Sequence, residues 1–324
     1  MAYTISIFTS SAELPQLDES DFFHSTTLFR IVEETPGHCP FMVVAQREDG
    51  SVAAHLLACT RRRGSLLPPY LFTQGRIYGE GVYADDVDRD ELFALLLQAV
   101  TQRFKRRLCL YAELSNISQK MFAYRHFREN GFFPVSWQEV HQSLHSVPPE
   151  ERLSDRLRAR IQKAEAADIE TREAVDDDEI HTFYRLLRAF HRLKMRRFIP
   201  PEEFFTLLHH SGQGRVFVTL YKGKIIGGTV CAYSDANAYL CYFAARRKTY
   251  HHLHPETITI WHAINYAYEH NYAHIYFMDV GLPYASNPLR EFLLSFGGKP
   301  VAKYRWFRIF VPGLSKIVAW HYLH

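Results

Sequence analysis

The feature that most constrains this fold is an order of elements that occurs twice in the chain. In the first half, the apolar segment 108–114 leads to a helix-like segment that carries Phe127 and ends at an Asn-Gly pair. In the second half, segment 274–281 leads to the helix-like segment 287–296, which ends at a Gly-Gly pair. Glycine after a helix is a common C-cap, and another apolar strand follows in both halves. The repeat predicts a duplication of one α/β unit of about 150 residues, an ordinary domain size.

The boundary between the copies is predicted at the polar, proline-marked segment 146–157. We therefore expect an N-terminal domain over residues 1–150 and a C-terminal domain over residues 151–324. Each is expected to be a mixed α/β domain, with a central mixed sheet flanked by helices. Hydrophobic periodicity predicts these elements in addition to those above: strands 41–46, 51–60, 132–144, 215–221, 224–233, 238–245 and 300–310, and helices 88–106, 118–130, 156–167, 176–195 and 256–271.

Composition narrows the class of protein. A net charge of +3 over 324 residues does not by itself predict binding to DNA or RNA. No apolar run approaches the ~20 residues of a spanning helix, so a cytoplasmic protein is expected. The apolar and aromatic tail 311–324 either caps the core or touches a membrane surface. The aromatic share of 15% indicates either a bulky core or an aromatic-lined groove. The five cysteines form no CxxC pair, and they are expected to be buried thiols in a reducing compartment.

Three stretches carry a resemblance to a known family. The basic segment 158–165 has the form R-x-x-I-x-K-A, and segments 223–228 and 239–244 read as a glycine-containing hairpin with its following strand. The third stretch, 279–297, has the form D-x-G followed by F-x-x-x-F-G. Together they resemble the GNAT N-acyltransferase fold, and the duplication resembles the bacterial Fem family of peptidoglycan aminoacyltransferases and related tandem GNAT acyltransferases. The resemblance implies two tandem GNAT-like domains, with acyl-CoA or aminoacyl-tRNA as the donor.

The sequence departs from the family pattern at two places. Leu293 stands where the family's closing helix usually has a lysine that is implicated in aminoacyl transfer. The glycine-rich CoA loop of ordinary GNAT enzymes, of the form Q/R-x-x-G-x-G/A, is replaced by segment 246–255, which contains no glycine. The first departure weakens aminoacyl-tRNA as the donor and the second weakens acyl-CoA, so both stay open.

Acyl transfer to an amine needs a base, stabilisation of the oxyanion and protonation of the leaving group. Asp279, at a strand end, is a candidate to orient the amine or act as base, and a loop-fixing carboxylate is the alternative. Tyr242 and Tyr284 are candidate proton donors. A core tyrosine is the commoner explanation for Tyr242, whereas Tyr284 lies in a loop, where functional residues concentrate.

Binding residues are predicted from charge and position. Arg246, Arg247 and Lys248 precede a helix that starts near Pro255 and carries Thr257 in its first turn. Basic side chains beside free helix N–H groups can hold the phosphates of CoA, of a nucleotide sugar or of a tRNA end, and a solvated basic turn is the alternative.

The acceptor is expected at two further places. Lys194 and Arg197 follow the long helix, around which the family places acceptor residues, and Gly281 and Asn287 lie on the loop that follows Asp279. The histidines of segment 251–254 complete no familiar ligand spacing, so no metal is expected.

These residues support two hypotheses. The first is a Fem-like N-acyl or aminoacyl transferase acting on a primary amine of a cell-envelope precursor or small metabolite. The second is a catalytically degenerate GNAT scaffold that binds an anionic ligand or partner without chemistry. A concave pocket with ordered polar side chains around Asp279 and Tyr284 favours the first, whereas a cleft filled by Tyr and Phe side chains favours the second. Contact with tRNA or with a membrane surface is compatible with both, and DNA is not an expected partner.

Overall fold

The computed structural model describes residues 3–65, 68–191, 198–278, 280–311, 313–314 and 318. The strands are β1 (Thr4–Phe8), β2 (His38–Gln46), β3 (Val52–Gly64), β4 (Leu71–Tyr78), β5 (Val82–Tyr83), β6 (Cys109–Ser115), β7 (Phe133–Ser143), β8 (Ile169–Glu173), β9 (Gly214–Tyr221), β10 (Lys224–Ser234), β11 (Asn237–Ala245), β12 (His274–Phe277) and β13 (Lys299–Ile309). The helices are α1 (Thr26–Glu34), α2 (Arg89–Arg106), α3 (Tyr124–Glu129), α4 (Asp155–Ala166), α5 (Asp177–His191), α6 (Glu202–His210), α7 (Pro255–Glu269) and α8 (Pro288–Leu294).

Contacts divide the chain into two compact units. Unit 1 contains the described residues of 1–137 and 302–324, and unit 2 contains those of 138–301. The chain passes from unit 1 to unit 2 within β7 and returns within β13. The predicted boundary between residues 150 and 151 separates the two copies of the sequence repeat, and not these contact-based units. It stays a prediction.

The strands within each unit pair in a mixed parallel and antiparallel arrangement. In unit 1 the strand order is β1-β2-β3-β4-β6-β13, with β5 beside β3, and β4 and β6 are parallel. In unit 2 the order is β7-β12-β11-β10-β9-β8, with β11 and β12 parallel. The other described pairings are antiparallel. The two units therefore share one plan, in which a single parallel pair interrupts an antiparallel meander.

Large aromatic side chains fill the core of unit 1. Phe127 of α3 stacks on Trp306 of β13 with ring centroids 4.4 Å apart, and both side chains are fully buried. Phe104 of α2 lies over Gly75 of β4, where a Cβ would come within 2.7 Å of its ring. Glycine is therefore needed at Gly75 to bring α2 onto the sheet. The high aromatic content is explained largely by core packing.

Two adjacent glycines of β10 bring helices close to both faces of the unit 2 sheet. A Cβ on Gly227 would lie 2.7 Å from Thr259 Oγ1 of α7, and one on Gly228 would lie 2.5 Å from the Phe183 ring of α5. Successive residues of a strand face opposite sides, so the pair places α7 on one face and α5 on the other. This is the physical reason for the Gly-Gly pair in segment 223–228.

Most predicted elements are confirmed, with differences at their ends. β12 ends at Phe277 and not at residue 281, and α3 covers only Tyr124–Glu129 of the predicted helix 118–130. Ala123 adopts a left-handed conformation with φ of 46°, which a helix cannot continue through. The sequence patterns did not reveal α1 and α6.

The fold class, a mixed α/β protein with sheets flanked by helices, is confirmed. Among the described residues, no helix is both long and apolar enough to cross a membrane. The five cysteines form no disulfide, and Cys39 is exposed, contrary to the expectation of buried thiols.

Candidate functional site

The parallel strands of unit 2 separate partway along their length. β11 and β12 pair from Asn237–His274 to Leu240–Phe277, and β11 then continues to Ala245 without β12 beside it. A bulge at Cys241 shifts the register of β11 against β10 at the same point. Bulges bend the strand that contains them, so the bulge and the end of β12 together open a wedge between the two strands.

The separation leaves backbone donors along β11 without a described strand partner. The N–H of Arg246 donates to the Ile226 carbonyl of β10 at 2.8 Å, and bonding groups alternate along an antiparallel pair. The N–H groups of Phe243 and Ala245 therefore point away from β10, towards the wedge. No described strand pairs with residues 241–245 on that side. This edge can bind an extended ligand or the oxygen of a polarised carbonyl.

Apolar side chains fill the wedge on the α7 face. The remaining cavity measures about 20 Å³, and it is lined by Leu240, Phe243, Ile260, Phe277, Met278, Val280, Leu289 and Leu293. Leu293 is only 3% exposed and packs in this core, so the position that usually carries the Fem lysine supplies no ammonium group. The space accommodates about one water molecule, and an acyl group enters it only if these side chains move.

Unit 1 has the corresponding parallel pair but no wedge. β4 and β6 stay paired to Tyr78 and Ser115, the last residue of each strand. Beyond them, the carboxylate of Glu80 is 5% exposed, accepts from Ser118 Oγ at 2.8 Å and pairs with Arg89 at the start of α2. Unit 2 is therefore the copy in which one strand of the parallel pair continues without its partner.

The loop between β12 and α8 is held by its own side chains. Asn287 caps α8 by accepting from the N–H of Leu289 at 3.0 Å, and its amide donates to the Val280 carbonyl at 2.6 Å. Arg290 donates to the carbonyls of Leu282 and Ala285 at 2.9 and 3.0 Å. Asn287 thus shapes the rim with its amide hydrogen-bonded to backbone.

Two further rim residues were predicted from the sequence. Gly281 has a φ of +89°, and a Cβ there would approach Asn287 Nδ2 to 2.9 Å. Tyr284 is 73% exposed at the tip of the loop, so its hydroxyl is accessible to a ligand.

A row of polar and aromatic side chains crosses the unit 2 sheet next to the wedge. Glu139 of β7 is almost fully buried, and its carboxylate bonds to His141 Nε2 at 2.8 Å. The His141 ring lies 4.3 Å from that of Tyr276 on β12, which lies 5.2 Å from Tyr239 on β11. Burial and the charge of Glu139 raise the pKa of Tyr276.

This Glu139–His141 pair was not predicted from the sequence. Glu139 and His141 stand two residues apart on β7, and only the folded sheet places β7 beside β12. Tyr242, a predicted proton donor, lies on β11, where its ring contacts Phe205 of α6 at 5.2 Å.

A cationic cluster forms at the start of α7. Burial, together with the charges of Arg160 and Lys163, lowers the pKa of His254. Burial raises the pKa of Glu256, an effect that Arg247 and Arg160 oppose. The structure therefore brings the basic segment 158–165 and the basic loop after β11 to one place, although they were separate motifs in the sequence.

The backbone of α7 contributes little to anion binding at this cluster. Pro255 has no N–H, and the N–H groups of Thr257 and Ile258 donate to the His254 carbonyl at 2.9 and 3.3 Å. Thr257 Oγ1 is fully buried and has no hydrogen-bond partner among the described residues. Side chains, and not free N–H groups, would hold an anion here, which differs from the expectation of open helix N–H groups.

The other predicted donor-binding residues lie on the surface. Arg246, Arg247 and Lys248 are exposed. Arg246 and Lys224 line a groove of about 460 Å³, opposite Asp176 and Asp178 at the start of α5. Pockets of this size accommodate small molecules, and this one presents both signs of charge.

Three predicted residues, Asp279, Lys194 and Arg197, lie outside the described residues. No group of three His, Cys, Asp or Glu side chains suited to a metal ion occurs in the described ranges.

Comparisons with known proteins agree with this geometry. Residues 151–286 match the model of the acetyltransferase (GNAT) domain. Similar solved structures include FemX, with a TM-score of 0.64 and 13% identity over 92% of this chain and 94% of that chain. A tandem GNAT protein from the clavulanic acid biosynthesis pathway has a TM-score of 0.61 and 12% identity over 96% and 100% of the chains. L-PGS from Bacillus licheniformis has a TM-score of 0.58 and 12% identity over 94% and 98%. No curated protein matches this sequence.

Fold and family match together define the class: the chain has a tandem GNAT-like fold, and its second half matches the model of the acetyltransferase (GNAT) domain. The match falls largely in unit 2, the unit in which the parallel strands separate. The sequence-based resemblance to GNAT and Fem-like proteins is confirmed at the level of the fold.

Proposed function

We propose that the protein is an N-acyltransferase whose reaction takes place along β11 of unit 2. The observation that carries the proposal is the wedge after Leu240 and Phe277, which leaves the N–H groups of Phe243 and Ala245 without a strand partner. Such fixed donors stabilise the oxyanion that develops when an amine attacks an acyl carbonyl. The GNAT match over this region supports the same chemistry.

The donor is proposed to be an acyl or aminoacyl group on a phosphate-bearing carrier. Arg160, Lys163 and Arg247 surround the start of α7, close to the carboxyl end of β11. A carrier bound along β11 would place its phosphates against these side chains. Acyl-CoA and aminoacyl-tRNA both fit this description. Because Pro255 has no N–H and the N–H groups of Thr257 and Ile258 are occupied, the cations must supply most of the binding.

The acceptor is proposed to be a primary amine, either of a cell-envelope precursor or of a small metabolite. Its binding site would lie on the sheet face that carries Tyr239, Tyr276 and His141. His141, oriented by Glu139, is suited to remove the proton that the amine loses. The strand pairing puts His141 about 10 Å, or two strand spacings, from β11, so a water molecule would relay the proton.

The remaining predicted residues keep proposed roles on the rim. Tyr284 is exposed, which suits a proton donor to the leaving group, and Tyr242 stays a second candidate for that step. Asp279 is proposed as an orienting carboxylate, and Lys194 and Arg197 as acceptor-binding residues. Gly281 and Asn287 act by fixing the loop shape.

One observation favours the alternative, a degenerate GNAT scaffold that binds an anionic ligand without chemistry. The wedge is filled by Leu240, Phe243 and their neighbours, which leave about 20 Å³. The cationic cluster at the start of α7 would then be a binding site alone.

Mass spectrometry of primary-amine acceptors, incubated with the protein and either acetyl-CoA or an aminoacyl-tRNA, distinguishes the two functions. A mass gain of one acyl group on an acceptor supports the transferase and identifies its donor. The matched test is Phe243→Pro, which removes one wedge-facing N–H, compared with Phe243→Leu, which keeps it. Binding of a donor without transfer to any acceptor supports the degenerate scaffold.

A further inference from the structure

One end of unit 1 exposes large apolar side chains. Tyr70, Leu71 and Leu108 are 68%, 63% and 85% exposed. They lie at the same end of the sheet, because Thr73 of β4 pairs with Cys109 of the parallel strand β6. Leu71 lies two residues before Thr73, and Leu108 lies one residue before Cys109, on strands about 5 Å apart. These side chains therefore form a small apolar tip.

Positive charge surrounds this tip. Lys105, Arg106 and Arg107 at the end of α2 are exposed, as is Arg62 of β3. Segments 61–65, 68–72 and 102–108 contain no aspartate or glutamate. Burial lowers the pKa of Arg103, and the charges of Arg107 and Arg106 lower it further.

The fold explains the cations only in part and the leucines not at all. Cations in the last turn of a helix interact favourably with its dipole. Leu108, however, adopts a left-handed conformation with φ of 52°, a position that suits Gly or Asn better. A leucine that is strained and 85% exposed gains nothing from the core of unit 1.

We propose that this apolar and basic end of unit 1 docks on the surface of an anionic lipid bilayer. Tyr70, Leu71 and Leu108 would enter the boundary between headgroups and acyl chains, while Arg62, Lys105, Arg106 and Arg107 bind lipid phosphates. Nucleic acid fits less well, because aliphatic leucines do not provide the stacking surface that bases require. The proposal is independent of acyl transfer, since vesicle binding needs no donor or acceptor.

The test is co-sedimentation of the full chain with phosphatidylcholine vesicles that either contain or lack phosphatidylglycerol. The wild type is expected to sediment with the anionic vesicles, and less of it should do so at high salt. With the neutral vesicles it is expected to stay in the supernatant. Arg106→Glu combined with Arg107→Glu is expected to weaken binding at least about twenty-fold, from about five-fold per lost cation. Leu71→Ser combined with Leu108→Ser is expected to weaken it without removing charge.

Matched controls lie in other parts of the chain. Arg185 and Arg188 are exposed on α5, and changing both to Glu alters the net charge by the same amount. Met121 and Val175 are 60% and 69% exposed, and changing both to Ser removes apolar surface elsewhere. Both control variants should bind vesicles like the wild type. No binding to anionic vesicles, or an equal loss in the controls, would overturn the proposal. The proposal would also be overturned if the protein bound single-stranded RNA and not vesicles, and if Arg106→Glu with Arg107→Glu abolished that RNA binding.

Discussion

Leu240 and Phe277 are the last paired residues of β11 and β12, and the wedge that defines the candidate site begins directly after them. In unit 1, Tyr78 and Ser115 hold the corresponding strands together to their ends. The two units share one plan and differ in how far their parallel strands stay paired. We infer that the second copy carries the chemistry and that the first has a structural or binding role.

The glycines of β10 set the distance between the sheet and its helices. Replacing Gly228 with Ala is expected to destabilise unit 2 by about 1–3 kcal/mol, because the new Cβ meets the Phe183 ring and the Phe217 carbonyl. Urea denaturation followed by circular dichroism measures this loss. Gly64→Ala is the control, since its Cβ would meet nothing closer than 3.9 Å. Equal stability of the two variants would contradict the packing argument.

Glu256 is expected to limit anion binding at the start of α7. Replacing Glu256 with Gln removes a carboxylate close to Arg247 and Arg160, so an anionic donor should bind more tightly. A screened Coulomb contribution of about 1 kcal/mol corresponds to about a five-fold gain in affinity. Fluorescence titration with a labelled donor tests this. Unchanged or weaker binding would place the donor elsewhere.

His141 is the proposed base. Its replacement by Gly is expected to lower the rate of acyl transfer by about 10²–10⁴-fold and to leave donor affinity unchanged. Added imidazole should restore part of the rate, which would not happen if His141 only supported the fold. Glu139→Gln, which keeps the shape of the side chain, should lower the rate less. Full activity of His141→Gly would exclude this base.

Acid should weaken unit 2 through His262 of α7. Burial lowers the pKa of His262 from 6.5 to about 4, so its stabilising contribution is complete above pH 6.5 and is lost as the pH falls towards 4. His262→Gln should reduce the loss of stability across this window by at most about 3 kcal/mol. Hydrogen exchange of α7 amides at several pH values measures it. Identical pH slopes for both proteins would contradict the assignment.

The sequence patterns predicted the tandem α/β plan because each copy repeats strong local signals. Strand periodicity, the Gly-Gly turn after α8 and the proline that starts α7 are all local. The passage of the chain from unit 1 to unit 2 within β7, and its return within β13, is not a local signal, because it depends on how distant segments fold. The Glu139–His141 pair is local, but its place beside Tyr276 and the wedge after Phe277 depend on strand pairing, so spacing could not reveal them.

The cationic cluster at the start of α7 could not be predicted from the sequence for a similar reason. Arg160 and Lys163 were recognised as a basic helix and Arg247 as a basic loop, but only the packing of α4 beside α7 brings them together. The occupied N–H groups of α7 were unexpected, because they depend on the left-handed conformation of His254.

The most direct test of the account is calorimetric titration of the protein with acetyl-CoA and with an aminoacyl-tRNA analogue. We predict that one donor binds and that Arg160→Ala combined with Lys163→Ala weakens it at least about ten-fold. Arg158→Ala should have no effect, because Arg158 faces the Glu150 carbonyl and Asp155. Absence of binding by either donor, or unchanged binding in the double variant, would contradict a donor site at the start of α7.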